Sequence, residues 1–205
     1  MGAEEIRKKG KHPTGVASPL ARKIRKLEGW LRRQNGILVA WSGGVDSTVL
    51  TVMAHRILGE LALAVTADSP LLDPNDLKMA RRLARSLGIR HRIIRTEEMK
   101  NPTFVSNPPD RCYHCKKELF EKLCALARAE GLETVADGTN ADDRSDYRPG
   151  VRAAREFAIA HPLQAFGFRK EEIRAASRLL GLPTADKPAA ACLASRFPYG
   201  TPLTP

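Results

Sequence analysis

The sequence predicts an α/β protein built on a doubly wound parallel sheet. Short apolar runs alternate along the chain with longer segments of helical periodicity, and Gly, Asn or Pro marks most of the junctions. Polar turns follow three of the apolar runs, at Ser42, Asp68 and Asp137. Because ligands of such sheets bind beyond the carboxyl ends of the strands, we expect these three turns to form one site.

The individual elements follow from periodicity and from their end signals. Ser18 and Pro19 supply an N-cap and a first turn, Asp73 and Gly88 bound another helix, and Asp110 precedes a long one. Strands are predicted at 37–40, 61–66, 90–95 and 134–136, with a short last strand at 161–163. Helices are predicted at 18–34, from 46, at 73–87, 110–130, after 149 and at 169–180, with a surface loop at 96–109.

Length and composition favour a globular enzyme with an anionic ligand. The 205 residues suit one α/β domain, which we place at 17–190, after a disordered tail at 1–16 and before the start of a truncated portion at 191–205. The net charge of +11 suits nucleotides, phosphate esters or tRNA, although arginines on solvated helix faces explain it equally well. No apolar run is long enough for a membrane span, and the charged first residues lack a signal-peptide core, so we predict a cytoplasmic location.

A glycine turn after the first strand is the strongest functional signal. A strand feeding a Gly-rich turn that opens a helix makes a phosphate cradle, because glycine lets the backbone approach the anion and the helix N-terminus favours its charge. The turn has neither the Walker A pattern nor the dinucleotide-binding glycine pattern. The residues predicted to hold the phosphates are Ser42, Gly43, Gly44, Asp46, Ser47 and Thr48.

The string Ser-Gly-Gly-Val-Asp-Ser at 42–47 resembles the PP-loop of the ATP pyrophosphatases. That resemblance implies a fold of the PP-loop ATP pyrophosphatase (adenine nucleotide alpha hydrolase-like) type. It also implies cleavage of ATP to AMP and pyrophosphate, usually with adenylation of a substrate oxygen.

Two further strand ends carry polar residues that suit a nucleotide site. Asp68 and Ser69 follow the second strand and are expected to meet the adenosine, although an ordinary turn has the same composition.

The segment 137–150 is rich in Asp and Arg. Asp137 and Asp142, with Asp46, are expected to handle Mg²⁺, which takes one or two carboxylates together with phosphate oxygens. A polar turn-rich loop is the alternative reading of this segment. Further residues expected to contact the nucleotide or its phosphates are Gly138, Arg144, Arg148 and Arg152.

The cysteines are a second group of candidate functional residues. Cys112 and Cys115 lie one turn apart at the start of a helix, so they share a face, and the helix N-terminus is expected to lower their thiol pKa. Cys124 falls on the other side and is read as a core residue, and His114 points away from both cysteines.

The fourth cysteine, Cys192, lies between two cations, Lys187 and Arg196, which favour its thiolate. Cys112, Cys115 and Cys192 together can bind three irons of a [4Fe–4S] cluster and leave the fourth iron open for an exogenous sulfide. A sacrificial Cys192 that gives up its own sulfur, and cysteines that are only buried, are the alternatives.

Four motifs in order closely resemble the LarE family of ATP-dependent sulfur insertases. They are the PP-loop at 42–47, Arg-Cys-x-x-Cys-Lys at 111–116, Asp-Tyr-Arg-Pro-Gly at 146–150 and Ala-Cys-Leu-Ala-Ser-Arg-Phe-Pro-Tyr-Gly at 191–200. The resemblance implies adenylation of a pyridinium dicarboxylate mononucleotide, displacement of AMP by sulfur and formation of a thiocarboxylate in nickel-pincer nucleotide biosynthesis. The pair Cys112 and Cys115 implies the cluster-dependent type, and the family's rings imply a homo-oligomer.

The leading hypothesis is therefore an ATP-dependent sulfurtransferase that needs ATP, Mg²⁺, a [4Fe–4S] cluster and sulfide or another sulfur donor. Asp46, Lys187 and the three cysteines are its predicted catalytic residues, and Arg148, Arg152, Lys187 and Arg196 its phosphate ligands. tRNA thiolation, an ammonia-using amide synthetase and a nucleotide-sensing binding module are the alternatives.

Overall fold

A computed structural model describes residues 18–145, 149–189 and 192–204 of the chain. The predicted disordered tail at 1–16 and the predicted ligand Arg148 lie outside the described residues.

The described residues contain a four-stranded sheet in which every neighbouring pair is parallel. Its strands are β1 (Ile37–Ala40), β2 (Ala62–Asp68), β3 (His91–Arg95) and β4 (Thr134–Ala136), in the spatial order β3-β2-β1-β4. The order reverses direction at β1, which pairs with β2 on one side and with β4 on the other. A crevice for ligands is expected at this switch point, beyond the carboxyl ends of β1 and β4.

Helices cover both faces of the sheet. They are α1 (Pro19–Leu31), α2 (Val45–Leu58), α3 (Pro74–Leu87), α4 (Pro102–Val105), α5 (Arg111–Ala129), α6 (Gly150–Glu156), α7 (Pro162–Ala165) and α8 (Lys170–Leu179). Short 3₁₀ turns lie at Gly59–Leu61, Glu98–Lys100, Ala141–Ser145 and Leu193–Arg196.

Alternate residues of β1 pack into two apolar cores, one on each face of the sheet. Ile37 and Val39 pack into a cluster with residues of α1, α2, α3 and α8, whereas Leu38 packs with residues of α5 and α6 on the opposite face. Because the sheet is covered on both sides, the central strand β1 is apolar without alternation, as the sequence predicts, whereas the edge strand β3 carries His91, Arg92 and Arg95. The doubly wound α/β fold is thus confirmed.

The structure confirms several helix ends that capping residues in the sequence predict. Ser18 accepts a hydrogen bond from the Ala21 amide at 3.2 Å, and Asp73 accepts one from the Asn75 amide at 2.8 Å. Gly88 ends α3 with a φ of 67°, a left-handed conformation that glycine adopts without strain. Asp110 precedes α5 as predicted, but its side chain makes no capping bond within the described chain.

Two predictions of secondary structure were wrong. The expected strand at 161–163 is the start of helix α7, and only Ala160 forms an isolated parallel bridge, with Ala136. Pro162 has no N–H to donate to a neighbouring β-strand, but proline suits the first turn of a helix. The expected loop at 96–109 contains the turn Glu98–Lys100 and the helix α4.

Residues 192–204 pack on the body of the fold, where Ala194 and Leu203 join a small apolar cluster with Phe104. The predicted domain boundaries at 17 and 190 remain predictions. Within the described ranges, no helix is both long enough and apolar enough to cross a membrane.

Candidate active site

The turn after β1 is built around Gly43 and two serines. Gly43 has a φ of 76°, and a Cβ there would lie 3.1 Å from the Asp76 carbonyl oxygen, so both conformation and space require glycine. The Ser42 amide donates to the Ser47 hydroxyl at 3.2 Å, and the two hydroxyls lie 3.1 Å apart. These bonds fix the turn in a tight loop ahead of α2.

The N-terminus of α2 faces this turn. Gly44 is its N-cap and has no side chain to accept from the first-turn N–H groups; the Gly44 amide itself donates to the Ser42 hydroxyl at 3.4 Å. A phosphate placed over the turn would accept hydrogen bonds from these amides and lie at the positive end of the helix dipole. The geometry therefore fits the predicted phosphate cradle.

Thr48 anchors the loop to the sheet. Its side chain is fully buried, and its hydroxyl accepts the indole N–H of Trp41 at 2.9 Å. The Trp41 carbonyl in turn accepts the Thr66 hydroxyl at 2.8 Å. The predicted contact of Thr48 with the nucleotide stays a prediction.

The end of β4 lies directly on the first turn of α2. A Cβ at Gly138 would lie 2.6 Å from the Ser47 amide nitrogen and 2.8 Å from the Ser47 Cα. The two segments can pack this closely only because Gly138 has no side chain. The switch-point crevice expected from the sheet order is thus formed by residues 42–47 and 137–140.

Two lysines contact the loop from α8 and from the segment that follows it. Lys187 donates to the Gly43 carbonyl at 2.9 Å and also pairs with Asp76 of α3. Lys170, which sequence reasoning missed, pairs with Asp46. A lysine in the first turn of a helix opposes the helix dipole, and that unfavourable position is the signal that could have singled it out.

The predicted magnesium ligands fit the ion unequally. Asp46 Oδ1 is buried and has no hydrogen-bond partner among the described residues, so this carboxylate oxygen could accept a cation. Asp142 accepts the Lys170 amide at 2.8 Å, and Asp137 is bonded elsewhere, as described below. Among the described residues, no three His, Cys, Asp or Glu side chains form a ready-made metal site. Mg²⁺ suits Asp46 because it needs few protein ligands besides phosphate and water.

Asp137 is the buried centre of a charged group at the end of β4. His161 Nδ1 lies 2.7 Å from Asp137 Oδ1, the Thr139 amide donates to the same oxygen at 3.0 Å, and Lys116 Nζ lies 3.5 Å from Oδ2. Burial alone would raise the pKa of Asp137, but the hydrogen bond with His161 and the charge of Lys116 hold it well below its usual range. Asp137 is therefore a fixed anion at the crevice.

Lys116 connects the Asp137 carboxylate to α5, the helix that carries Cys112 and Cys115. Its side chain crosses Gly150 at the start of α6, where a Cβ would lie 2.6 Å from the lysine Cδ. Lys116 follows Cys115 on α5, and Gly150 closes the motif at 146–150. Two of the sequence motifs thus meet the end of β4 through one lysine.

The cysteines of interest are brought to one place by two segments. Cys115 on α5 packs against a cluster that contains Ala194, two residues after Cys192. Cys192 is exposed, and its Sγ lies 3.5 Å from the Ser195 hydroxyl. Burial, together with smaller contributions from the nearby charges of Glu98, Cys192 and Cys112, raises the pKa of Cys115 to about 12. The prediction that the helix N-terminus lowers this pKa was wrong, because burial outweighs the dipole.

Glu98 is a second residue that sequence reasoning missed. It is 2% exposed and accepts the Ser69 hydroxyl, and its Oε2 is buried with no hydrogen-bond partner in the part of the chain that the structure describes. Its charge acts on Cys115, while Ser69 belongs to the strand end predicted to meet adenosine. Glu98 therefore links the end of β2 to the cysteines, and only the surrounding fold reveals this.

The other predicted site residues lie farther from the loop or are exposed. Asp68 is exposed, and its carbonyl accepts the Thr96 amide at 3.2 Å. Arg152 stacks over the Tyr113 ring at 3.5 Å and lies 3.7 Å from Glu156, so it faces α5.

Arg196 is exposed close to Cys192. Cys124 packs in the apolar cluster under α5, as predicted.

Comparisons with known proteins agree with this geometry. Residues 23–131 match the model of the family described as NAD synthase. The pyridinium-3,5-bisthiocarboxylic acid mononucleotide synthase of Lactiplantibacillus plantarum is 36% identical over 90% of this chain and 67% of its own length. An uncharacterised protein of Synechocystis is 46% identical over 90% of this chain and 69% of its own length.

A solved structure shows the same fold. The NMN synthetase of Francisella tularensis superposes with a TM-score of 0.65 over 84% of this chain and 76% of its own, at 22% identity.

Proposed function

Because the chain belongs to the LarE family of PP-loop enzymes, we propose that it is an ATP-dependent sulfurtransferase acting on a pyridinium dicarboxylate mononucleotide. The reaction has two steps. A substrate carboxylate oxygen attacks the α-phosphorus of ATP and pyrophosphate leaves. A sulfur nucleophile then attacks the carboxyl carbon of the adenylate, AMP leaves with the oxygen, and a thiocarboxylate forms.

The loop at 42–47 supports the first step. Its glycines let a phosphate approach the first turn of α2, and the missing side chain of Gly138 lets the turn after β4 pack against that first turn. Lys170 and Lys187 bring two positive charges to the same loop. Preorganised N–H groups and cations of this kind stabilise the charge that develops on a leaving pyrophosphate.

Mg²⁺ would be held by Asp46 together with phosphate oxygens. The open Oδ1 of Asp46 is the observation that supports this assignment. When bound, the ion would neutralise phosphate charge and favour departure of pyrophosphate. Asp137 then acts as a fixed anion that orients His161 and Lys116, and not as a metal ligand.

The cysteines support the second step. Three thiols suit iron–sulfur ligation chemically, and two chain segments bring Cys112, Cys115 and Cys192 into one neighbourhood. They do not stand as a preformed coordination shell in the described structure. A cluster held by the three thiolates would supply an iron that carries sulfide. The protein's own part is to bury Cys115 and to keep Cys192 at the surface beside it.

The observation that carries the proposal is the pair of links between the cysteine-bearing helix and the strand ends: Lys116 of α5 pairs with Asp137, and Glu98, whose charge acts on Cys115, accepts the Ser69 hydroxyl. An amide-forming enzyme that uses ammonia has no use for three gathered thiols.

The test is an anaerobic reaction of the iron-reconstituted protein with ATP, Mg²⁺, the dicarboxylate mononucleotide and sulfide. Mass spectrometry should show AMP and the mass increase expected when sulfur replaces one carboxylate oxygen. Omitting sulfide should leave no thiocarboxylate. Release of AMP and pyrophosphate without a sulfur product, or an amide formed when ammonia replaces sulfide, would contradict the proposal.

A further inference from the structure

The segment that carries Cys192 is fastened to the start of the cysteine helix by one asparagine. The Asn107 side-chain amide donates to the carbonyls of Pro198 at 2.8 Å and Thr201 at 3.0 Å. The Asn107 carbonyl accepts the Gly200 amide at 2.9 Å. One further backbone bond, from the Leu203 amide to the Val105 carbonyl at 2.9 Å, continues the attachment.

Asn107 holds these bonds at a conformational cost. It is fully buried and has a φ of 56°, a left-handed conformation that is uncommon outside glycine, although asparagine tolerates it better than most residues. Its amide oxygen accepts Nη1 of Arg111 at 2.9 Å. Every polar group of the side chain is thus used to join 198–201 to α5.

Arg111 completes the attachment from the first turn of α5. It is 5% exposed, and its guanidinium lies 4.5 Å from the centre of the Tyr199 ring. Within the described part of the chain, no carboxylate forms an ion pair with Arg111, so Asn107 and Tyr199 are its identified partners. A cation over a ring contributes more when it is desolvated, as here.

The attachment at 198–203 and the bond from the Leu193 amide to the Leu71 carbonyl at 3.2 Å together hold the segment that carries Cys192. Cys115 follows Arg111 by one helical turn, so the two residues share a face of α5. The fastened segment places Ala194 and Leu203 on the apolar cluster that covers Cys115. If the segment left α5, Cys115 would lose this cover and Cys192 would move away from it.

We propose that Asn107, Arg111 and Tyr199 form a clamp whose function is to position Cys192 for sulfur delivery. These are positioning residues, since they act through the cysteines and not on the substrate. The inference rests on the proposed function for its role in catalysis, but the clamp itself can be tested without any activity.

The test uses Asn107→Gly and Tyr199→Ala in the full-length chain. Glycine keeps the left-handed conformation and removes only the side-chain bonds, and the Tyr199 ring is 60% exposed, so its loss does not threaten folding. Asn35→Gly is the matched control, because Asn35 is an exposed turn residue that bonds Glu133 near the start of β4.

The first measurement is hydrogen exchange of the Gly200 and Leu203 amides. We expect exchange about tenfold faster in both clamp variants and unchanged in the control. Unchanged exchange in both variants would overturn the clamp. Should Asn107→Gly fail to fold, Tyr199→Ala decides the question.

The second measurement compares AMP and thiocarboxylate in one reaction. We expect both variants to keep AMP formation within about twofold and to lose about tenfold in thiocarboxylate. An equal loss of both products would mean a merely structural role. If the unmodified protein forms no thiocarboxylate, the proposed function fails, while the exchange measurement still decides whether the clamp exists.

Discussion

The backbone of Gly138 lies against Ser47, so closely that a Cβ at 138 would come within 2.6 Å of the Ser47 amide nitrogen. The turn after β4 and the PP-loop therefore form one surface. The two segments can meet this closely only because position 138 has no side chain.

Gly138→Ala tests this contact. The added methyl must push the β4 turn away from α2 or cover the Ser47 amide, and we expect AMP formation to fall by about 100-fold. Overpacking should also lower the free energy of unfolding by about 1–3 kcal/mol. Gly29→Ala is the control, because a Cβ in the helix α1 meets nothing closer than 3.7 Å. Full activity in Gly138→Ala would show that the close approach does not serve the nucleotide.

Lys170→Met tests the lysine that sequence reasoning missed. Removing its charge leaves Asp46 without its cation and the loop with one positive charge fewer, and we expect a fall of about 100-fold in AMP formation. Lys23→Met is the control. It breaks a comparable ion pair between Lys23 of α1 and Glu172, which lies on the same helix as Lys170 but does not pair with the loop. It should leave the rate within about twofold of the original. Equal rates in the two variants would remove Lys170 from the site.

The low pKa of Asp137 predicts a pH dependence of stability. Because its pKa in the folded protein lies below the ordinary 3.8, ionised Asp137 stabilises the fold above that pH, and the contribution is lost as the pH falls through the folded pKa. Asp137→Asn should therefore lower the free energy of unfolding by roughly 1–3 kcal/mol at neutral pH. The loss should shrink as the solution is acidified toward about pH 2.

Urea unfolding at a series of pH values measures this effect. Asp186→Asn is the matched control, since Asp186 pairs with Arg178 but is 82% exposed. A difference between Asp137→Asn and the original protein that stays constant with pH would show that Asp137 contributes through packing and not through its charge.

The strands, the loop and several helix ends could be predicted from the sequence because their signals are local. Apolar runs, the glycines at 43 and 44, and the caps at Ser18, Asp73 and Gly88 depend on neighbours in the chain. Because the strands are parallel, their carboxyl ends lie at one edge of the sheet. That topology brings the turns at Ser42 and Asp137 together.

The partners of the site residues could not be predicted, because they come from distant segments. Lys170 meets Asp46, Glu98 meets Ser69, and Lys116 meets Asp137 only after folding. The pKa of Cys115 was misjudged for the same reason. The helix dipole is visible in the sequence, whereas burial by 194–203 is not.

The most direct test of the account is the ratio of thiocarboxylate to AMP formed by Cys192→Ser. Serine nearly keeps the size of the side chain, but its hydroxyl is a much poorer iron ligand than a thiolate and has no sulfur to give up. Cys124→Ser is the control, because Cys124 packs under α5 in the other apolar cluster. We predict that Cys192→Ser still forms AMP while the ratio falls by at least about tenfold, and that Cys124→Ser keeps the original ratio. An unchanged ratio in Cys192→Ser would contradict the claim that the gathered cysteines deliver the sulfur.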